Sequence, residues 1–259
     1  MLGFLKKKKE INSPKIVDEI ENAVYTHLKP YGFKKYGRTL HRFVSGDISQ
    51  VINFQLGMKA HGMNGLLCVN LGIRVPECDV MERCFNSPNN KKYYHEYDCN
   101  IRSRLGIASA GEEIWYDLGK KPEKIIKSII KELDEYVLPA YEVLNSREAI
   151  LCRRRDYPLL DNMGLLILLD ESMIYGHLGD IEKAKECFEK YYESQVDDYN
   201  DRMTNGRKHY LNKGERIYYM GQVITAEEDG YVTVYGASRS HIDYLDGLAE
   251  KLGLRLNTK

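Results

Sequence analysis

The stretch GFKKYGRTLHRFVSGDISQVINFQLGM, residues 32–58, decides the fold because its apolar and polar residues alternate. An alternation with a period of two is typical of a strand that is buried on one side. Ser45-Gly46-Asp47 separates two such runs and has the composition of a hairpin turn. The stretch therefore predicts two antiparallel strands. The apolar residues of the two runs are Leu40 and Val44, then Ile48, Ile52, Phe54 and Leu56.

The flanking sequence extends this hairpin into an α+β domain. Ser13-Pro14 is typical of a helix start, and a second long helix follows Pro122 until Pro139 kinks or ends it. A third strand is predicted over residues 66–75, a fourth over 97–105 and a short one over 114–118. The pattern indicates an antiparallel sheet of about four to five strands packed by two helices.

Three segments are expected along the chain. Residues 1–12 form a mobile basic tail, residues 13–148 the α+β domain, and residues 149–259 a mainly helical part. The helical part is predicted to contain helices over 163–177 and 180–194, separated by a turn at Gly179. A small β-hairpin around Asp229-Gly230 follows, and a capping box at Ser240 opens a last helix.

Composition and motif spacing exclude several function classes. The 38 basic and 38 acidic residues balance, so no overall field attracts nucleic acid or anionic lipid. Apolar runs are too short for a membrane span, no secretory signal is recognised, and a cytoplasmic location with reduced thiols is expected. Cys78, Cys84, His95 and Cys99 lack the knuckle spacing of zinc sites. The sequence also lacks the motifs of a P-loop, a catalytic triad and a metal site, so neither a cofactor nor a metal is predicted.

Two stretches resemble known families. Residues 17–144 carry a helix followed by GFKKYGRT, then QVINFQ (50–55) and VNLGI (69–73), and resemble the domain of unknown function 4304 family. That resemblance implies a compact, mostly bacterial intracellular domain without an established activity, suited to binding rather than catalysis. The stretch YGHLGDIEKAKECFEKYY (175–192) resembles a single tetratricopeptide motif. Stacked arrays need about three repeats, so one motif indicates a helical hairpin.

The candidate site follows from the alternation on the predicted strands. If the apolar residues face the core, one polar face remains, and its amides and cations offer convergent donors and acceptors. The alternative is a face open to solvent or covered by the C-terminal half. Arg102 and Trp115 are added because a site at the junction of the two halves would draw on them. The candidate binding residues are Arg38, His41, Asn53, Gln55, Asn70, Arg74, Arg102 and Trp115.

The leading hypothesis is a non-enzymatic protein-binding protein, with neutralisation of a toxin as one concrete form. Its partner is expected to be another protein; the 20 tyrosines suit such contact faces. An enzyme or nucleotide-binding protein with a dispersed site is the alternative. A weaker hypothesis is RNA contact through the basic segment of residues 34–42, whose lysines and arginines alternate with aromatic rings.

Overall fold

The computed structural model describes residues 13–79, 93–161, 167–251 and 253–254. The predicted basic tail of residues 1–12 and Cys84 therefore lie outside the described residues. The chain divides into two compact units, Met1–Asp170 and Glu171–Lys259. Within the described residues, no helix is long and apolar enough to cross a bilayer.

The first unit is built on an antiparallel sheet whose first five strands follow the order of the chain. A sixth strand pairs with the far end of β4. The turn between β2 and β3 uses left-handed backbone at Ser45 and Gly46, with φ of 45° and 86°, as the predicted hairpin turn requires. The strands are β1 Lys34–Tyr36, β2 Thr39–Val44, β3 Ile48–Leu56, β4 Leu66–Arg74, β5 Ile101–Arg104 and β6 Tyr116–Asp117.

Helices of the first unit pack against one face of this sheet, which we call the helical face. Ile52 and Leu71, directly paired on this face, are fully buried. Gln50 donates to the carbonyl of Tyr141 at 2.6 Å, and Arg42 donates to Tyr31 and Glu142. The α+β prediction is thus confirmed. The helices are α1 Ser13–Leu28, α2 Leu105–Ala110, α3 Pro122–Glu132, α4 Leu138–Val143 and α5 Arg147–Arg153.

The long helix that begins at Pro122 changes geometry before Pro139. Residues Leu133–Val137 form a π-helical turn between α3 and α4. Pro139 has no N–H to continue the α-helical hydrogen bonds, and a wider turn accommodates that gap. The predicted disruption at Pro139 therefore takes the form of a π turn rather than an end of the helix.

The fourth strand is shorter than predicted. The expectation was residues 97–105, whereas β5 begins at Ile101. Residues Glu96–Asp98 form a 3-10 turn instead, because the side chain of Asp98 accepts from the backbone N–H of His95 at 2.8 Å. This turn directs the preceding residues across the sheet.

The second unit contains most of a helical hairpin, whose first helix begins before Glu171, together with two two-stranded sheets and a final helix. Gly179, with φ of 83°, separates α6 Ile167–His177 from α7 Ile181–Thr204. Residues 163–166 of the first predicted helix lie outside the described residues. Helix α7 is longer than predicted because its polar second half contains no helix-breaking residue before Asn205-Gly206. The final helix, α8, spans Ser240–Lys251.

Two small sheets correct the predicted hairpin around Asp229-Gly230. Strands β8 Arg216–Tyr219 and β9 Gln222–Thr225 pair through a turn at Met220-Gly221, and β7 Arg207–Leu211 pairs with β10 Gly230–Val234 in a separate sheet. Met220 and Gly221 have φ of 48° and 78°, the left-handed pair of a type I′ turn. The hydroxyl of Tyr219 donates to the carbonyl of Gly236, so the β8–β9 hairpin lies against the segment that follows β10. Asp229-Gly230 thus joins β9 to β10, and β10 pairs with β7 instead of with β9.

Candidate functional site

The second face of the sheet, which we call the polar face, carries most of the predicted site residues. Directly paired residues share a face, so the register defines its composition. One row crosses the first five strands and ends at Arg104. A neighbouring row carries His41, Val51 and Arg102. The residues of the first row are Tyr36, Thr39, Asn53, Asn70 and Arg104.

Amide side chains in the middle of the polar face are hydrogen-bonded to one another or to hydroxyl groups. Asn53 donates to the hydroxyl of Thr39 at 3.0 Å, and that oxygen lies 3.1 Å from Nδ1 of His95. Asn70 donates to Oε1 of Gln55 at 2.9 Å. These contacts fix the side chains in place, and fixed donors and acceptors orient a partner at a low entropic cost.

The arginines of the polar face are each bound to a carboxylate. Arg102 pairs with Glu96 at 3.0 Å. Arg74 pairs with Asp79 and lies 3.7 Å above the ring of Tyr94. Guanidinium groups that are already paired have little capacity left for a phosphate. The polar face is therefore a poor match for an anionic ligand.

Trp115 lies at the β5 edge, where it shares an acidic partner with Arg104. Arg104 pairs with Glu113, and its guanidinium carbon lies 5.5 Å from the ring of Trp115. The indole N–H of Trp115 donates to that same Glu113. Both predicted residues at this edge, Arg102 and Trp115, thus contact acidic side chains of the same unit.

The polar face is partly covered rather than open. Tyr94 and Cys99 pack on Val51, so the segment of residues 93–99 lies across the middle strands. His41, Asn70 and Arg74 are buried as a result, while Asn53 and Gln55 are half-buried. Period-two alternation identified the face but did not indicate this cover, because the segment has no periodic signal.

A connected group of rings lies where the cover meets β1 and β2, and we call it the aromatic edge: the partly exposed Tyr36, Phe43, Tyr93 and Tyr97 with the buried His41. Tyr36 stacks on Tyr93 with ring centroids 4.5 Å apart, and His41 lies 5.0 Å from Tyr36 and 5.4 Å from Phe43. Phe43 is 45% exposed and Tyr97 57%. The sequence signal for this group was the interleaving of aromatic and basic residues in 33–43.

His41 is the chemically unusual member of the aromatic edge. Its side chain is buried, and neither ring nitrogen has a hydrogen-bond partner. Burial lowers the pKa of His41 below its ordinary value, and the positive charge of Lys34 lowers it further. The imidazole is therefore held neutral by its surroundings.

We expect this neutral ring to make stability depend on pH. The unfolded chain binds the proton at the ordinary pKa of about 6.5, whereas the folded chain binds it only at lower pH. The contribution of neutral His41 to the free energy of unfolding is present above pH ~6.5 and is lost as the pH falls through the pKa of His41 in the folded state. Urea unfolding at pH values of about 7.5 and 5 measures the loss. The variant His41→Phe, which cannot titrate, should lose less stability than the wild type; equal losses contradict the assignment.

The remaining predicted residues do not join the polar face. Arg38 pairs with Glu21 of α1 at 3.5 Å. The segment of residues 34–42 divides its cations between the two faces: Lys34 faces His41 on the polar face, and Lys35 faces Leu40 on the helical face. Arg42 is buried against Gln50. This division weakens the RNA hypothesis, since the cations share no common surface.

The cysteines lie in separate environments. Cys78 donates to the carbonyl of Asp170 at 3.6 Å, whereas Cys99 packs over the middle of the sheet. Burial raises the pKa of both thiols well above the ordinary value. In the part of the chain that the structure describes, no group of three His, Cys, Asp or Glu side chains is placed to hold a metal ion.

Comparison with known proteins yields one match. The model of the family described as Domain of unknown function (DUF4304) matches residues 24–142, a range that contains the whole polar face. The tetratricopeptide resemblance of the helical hairpin is not shown by any match. Neither the curated proteins nor the solved structures contain a match to the chain.

Proposed function

We propose that this chain, whose residues 24–142 belong to the family of the domain of unknown function DUF4304, is a non-enzymatic protein that binds another protein. The aromatic edge would supply the central contacts, and the half-buried amides Asn53 and Gln55 would form the polar rim. We further propose a bacterial cytosolic setting, in which neutralising a toxin is one form of the activity.

The observation that carries this proposal is the exposure of rigid rings beside a fixed polar network. Phe43 and Tyr97 present large ring areas, and contacts with neighbouring rings restrict them: Phe43 meets His41 edge to face, and Tyr97 stacks on His95. Aromatic side chains of this kind dominate binding energy in protein interfaces, because they bury much area and lose little entropy. Scattered exposed rings are normal, but a connected group points to a contact surface.

The alternative of a nucleotide-binding or catalytic site receives less support from the same geometry. Its suspected residues were Arg38, Asn53, Asn70, Arg102 and Trp115. Arg38 pairs with Glu21 of α1. Arg102 pairs with Glu96, and the indole N–H of Trp115 donates to Glu113. Only Asn53 and Asn70 are neighbours, paired across β3 and β4. Two amides can orient a partner, but they supply neither acid–base chemistry nor charge for a phosphate.

Affinity purification from the native host with three forms of the chain tests the proposal. The double variant Phe43→Ser, Tyr97→Ser should lose partner affinity by roughly 30-fold or more, as expected for interface anchors. Tyr136→Ser is the matched control, since Tyr136 is 46% exposed but lies on the π turn away from the sheet's polar face. Mass spectrometry should find a protein retained by the wild type and the control and absent from the double variant. Identical protein sets from all three forms would refute the role of the aromatic edge.

A further inference from the structure

Charge is distributed unevenly over the first unit, although the chain as a whole is neutral. Four exposed lysines lie at one end of the sheet, and we call this group the basic pole. One of them lies in the loop between β3 and β4, and the other three follow β6 and open α3. The two loops are neighbours, because the backbone N–H of Leu118 donates to the carbonyl of Gly65 at 2.9 Å. The basic pole consists of Lys59, Lys120, Lys121 and Lys124.

Helix α1 begins at the same end of the sheet. In an antiparallel sheet whose strands follow the order of the chain, the β1–β2 turn and the β3–β4 loop lie at one end. Arg38 of that turn pairs with Glu21 in the middle of α1. His27, in the last turn of α1, contacts Asp134 beyond the far end of α3 at 2.7 Å. Helix α1 therefore runs away from the basic pole, as α3 does, and its first residue, Ser13, lies at the pole's end of the sheet.

The residues that precede α1 add to this positive charge. Residues 1–12 contain the uninterrupted lysine run 6–9. Lys9 is four residues before Ser13, so the chain allows at most about 14 Å between them. Apolar residues come before the run, and Met58 of the β3–β4 loop is 55% exposed at the pole itself. The apolar residues before the run include Leu2, Phe4 and Leu5.

This end of the molecule carries an excess of positive charge. In the part of the chain that the structure describes, none of the four lysines of the basic pole makes an ion pair. Residues 1–12, the loops after β3 and β6 and the first two turns of α1 and α3 contain ten lysines and five carboxylates. The carboxylates are Glu10, Asp18, Glu19, Asp117 and Glu123. The excess of cations favours an anionic partner.

We propose that the basic pole and residues 1–12 bind the surface of an anionic phospholipid bilayer. The lysines would contact phosphates and carboxylates of the headgroups. Leu2, Phe4 and Leu5 would enter the boundary between headgroups and acyl chains. Each lysine near an anionic surface strengthens binding about fivefold. A few apolar residues alone bind a bilayer weakly, so the two contributions act together.

The apolar residues favour a bilayer over a nucleic acid. Lysines attract either partner, because both present a high density of phosphates. Leu2, Leu5 and Met58 gain free energy when the acyl boundary removes them from water, in proportion to the area that is buried. A phosphate backbone offers these aliphatic side chains no apolar environment.

Sedimentation of the full chain with lipid vesicles tests the proposal. Vesicles of phosphatidylcholine with about 30% phosphatidylserine should retain the wild type, and vesicles of phosphatidylcholine alone should not. Raising the NaCl concentration from about 0.1 M to about 0.5 M should release most of the bound protein, because salt screens the attraction. Lys120→Gln combined with Lys121→Gln should lower the partition coefficient roughly 20-fold, since two cations are lost.

Two lysines at the opposite end of the sheet supply the matched control. Lys29 follows α1 and Lys34 opens β1, and both are exposed. Helix α1 separates them from the pole by about 24 Å, which exceeds the Debye length. Lys29→Gln combined with Lys34→Gln should therefore change the partition coefficient by less than about twofold. The triple variant Leu2→Ser, Phe4→Ser, Leu5→Ser should lower it roughly tenfold or more.

Three results would overturn the proposal. The first is a wild-type chain that does not sediment with anionic vesicles at low salt, and the second is an equal effect of the two lysine pairs. The third is a triple serine variant that binds as well as the wild type. Circular dichroism spectra that match the wild type show that each variant is folded. A wild type that ignores the vesicles but retains a single-stranded oligonucleotide at the same salt would replace the bilayer by a nucleic acid.

Discussion

Replacing Arg154 by methionine is expected to destabilise the first unit by about 3–5 kcal/mol, the largest effect predicted for this chain. Arg154 is 1% exposed, and its guanidinium donates to Asp161 at 2.5 Å and to Asp170 at 2.7 Å. The variant leaves two buried carboxylates without their cation. Burial already raises the pKa of Asp170 to about 6 despite the arginine beside it. Urea unfolding followed by circular dichroism measures the change in the free energy of unfolding.

The neighbouring residue supplies the control for Arg154. Arg153 pairs with Asp156 at the surface, and both side chains are about half exposed. Arg153→Met should change the free energy of unfolding by less than about 1 kcal/mol, since exposed ion pairs contribute little. The triple variant Arg154→Met, Asp161→Leu, Asp170→Leu should recover much of the loss, because it removes the unpaired charges together with their partner. A cost for Arg154→Met no larger than for Arg153→Met would show that the buried triad does not stabilise the fold.

The second large effect is expected at Gly72, in the middle of β4. A Cβ atom at Gly72 would lie 2.6 Å from Sγ and 2.8 Å from Cβ of Cys99, far inside contact distance. The backbone of β4 cannot shift away from Cys99, because the hydroxyl of Tyr141 accepts from the backbone N–H of Gly72 at 3.1 Å and holds it in place. Gly72→Ala should therefore destabilise the protein by about 1–3 kcal/mol, as overpacking of a core does. Thermal or urea unfolding gives the value.

A second glycine separates this clash from the ordinary effect of glycine replacement. Gly230 lies in β10, and an added Cβ would meet nothing within 4 Å. Gly230→Ala should be neutral or slightly stabilising, because alanine restricts the unfolded chain. Cys99→Gly combined with Gly72→Ala should remove part of the cost of Gly72→Ala, since the clashing atoms are gone. If Gly72→Ala is as mild as Gly230→Ala, the cover of residues 93–99 does not press on the sheet as described.

The alternation in residues 32–58 was sufficient to predict the hairpin and its two faces. Ile52 and Phe54 are buried on the helical face, whereas Asn53 and Gln55 lie on the polar face. These outcomes depend on the two-residue period of a strand, which is a property of the local backbone. Helix bounds at Ser13 and Pro122 were predicted for the same reason, since capping and proline act within one turn.

The tertiary structure alone decided what covers the polar face and how the strands of the second unit are paired. The segment of residues 93–99 packs on Val51, although nothing in its own pattern indicates where it lies. The hairpin of β8 and β9 turns at Met220-Gly221, whereas Asp229-Gly230, which has the stronger local turn signal, joins two strands that belong to different sheets. Arg154 finds Asp161 and Asp170 only in the folded chain.

The sequence by itself thus determined the strands, the helices and the sidedness of the sheet, because those follow from preferences of neighbouring residues. It did not determine the aromatic edge or the buried ion triad. Those depend on which distant segments meet, and their free energy comes from long-range packing that no short window of sequence contains.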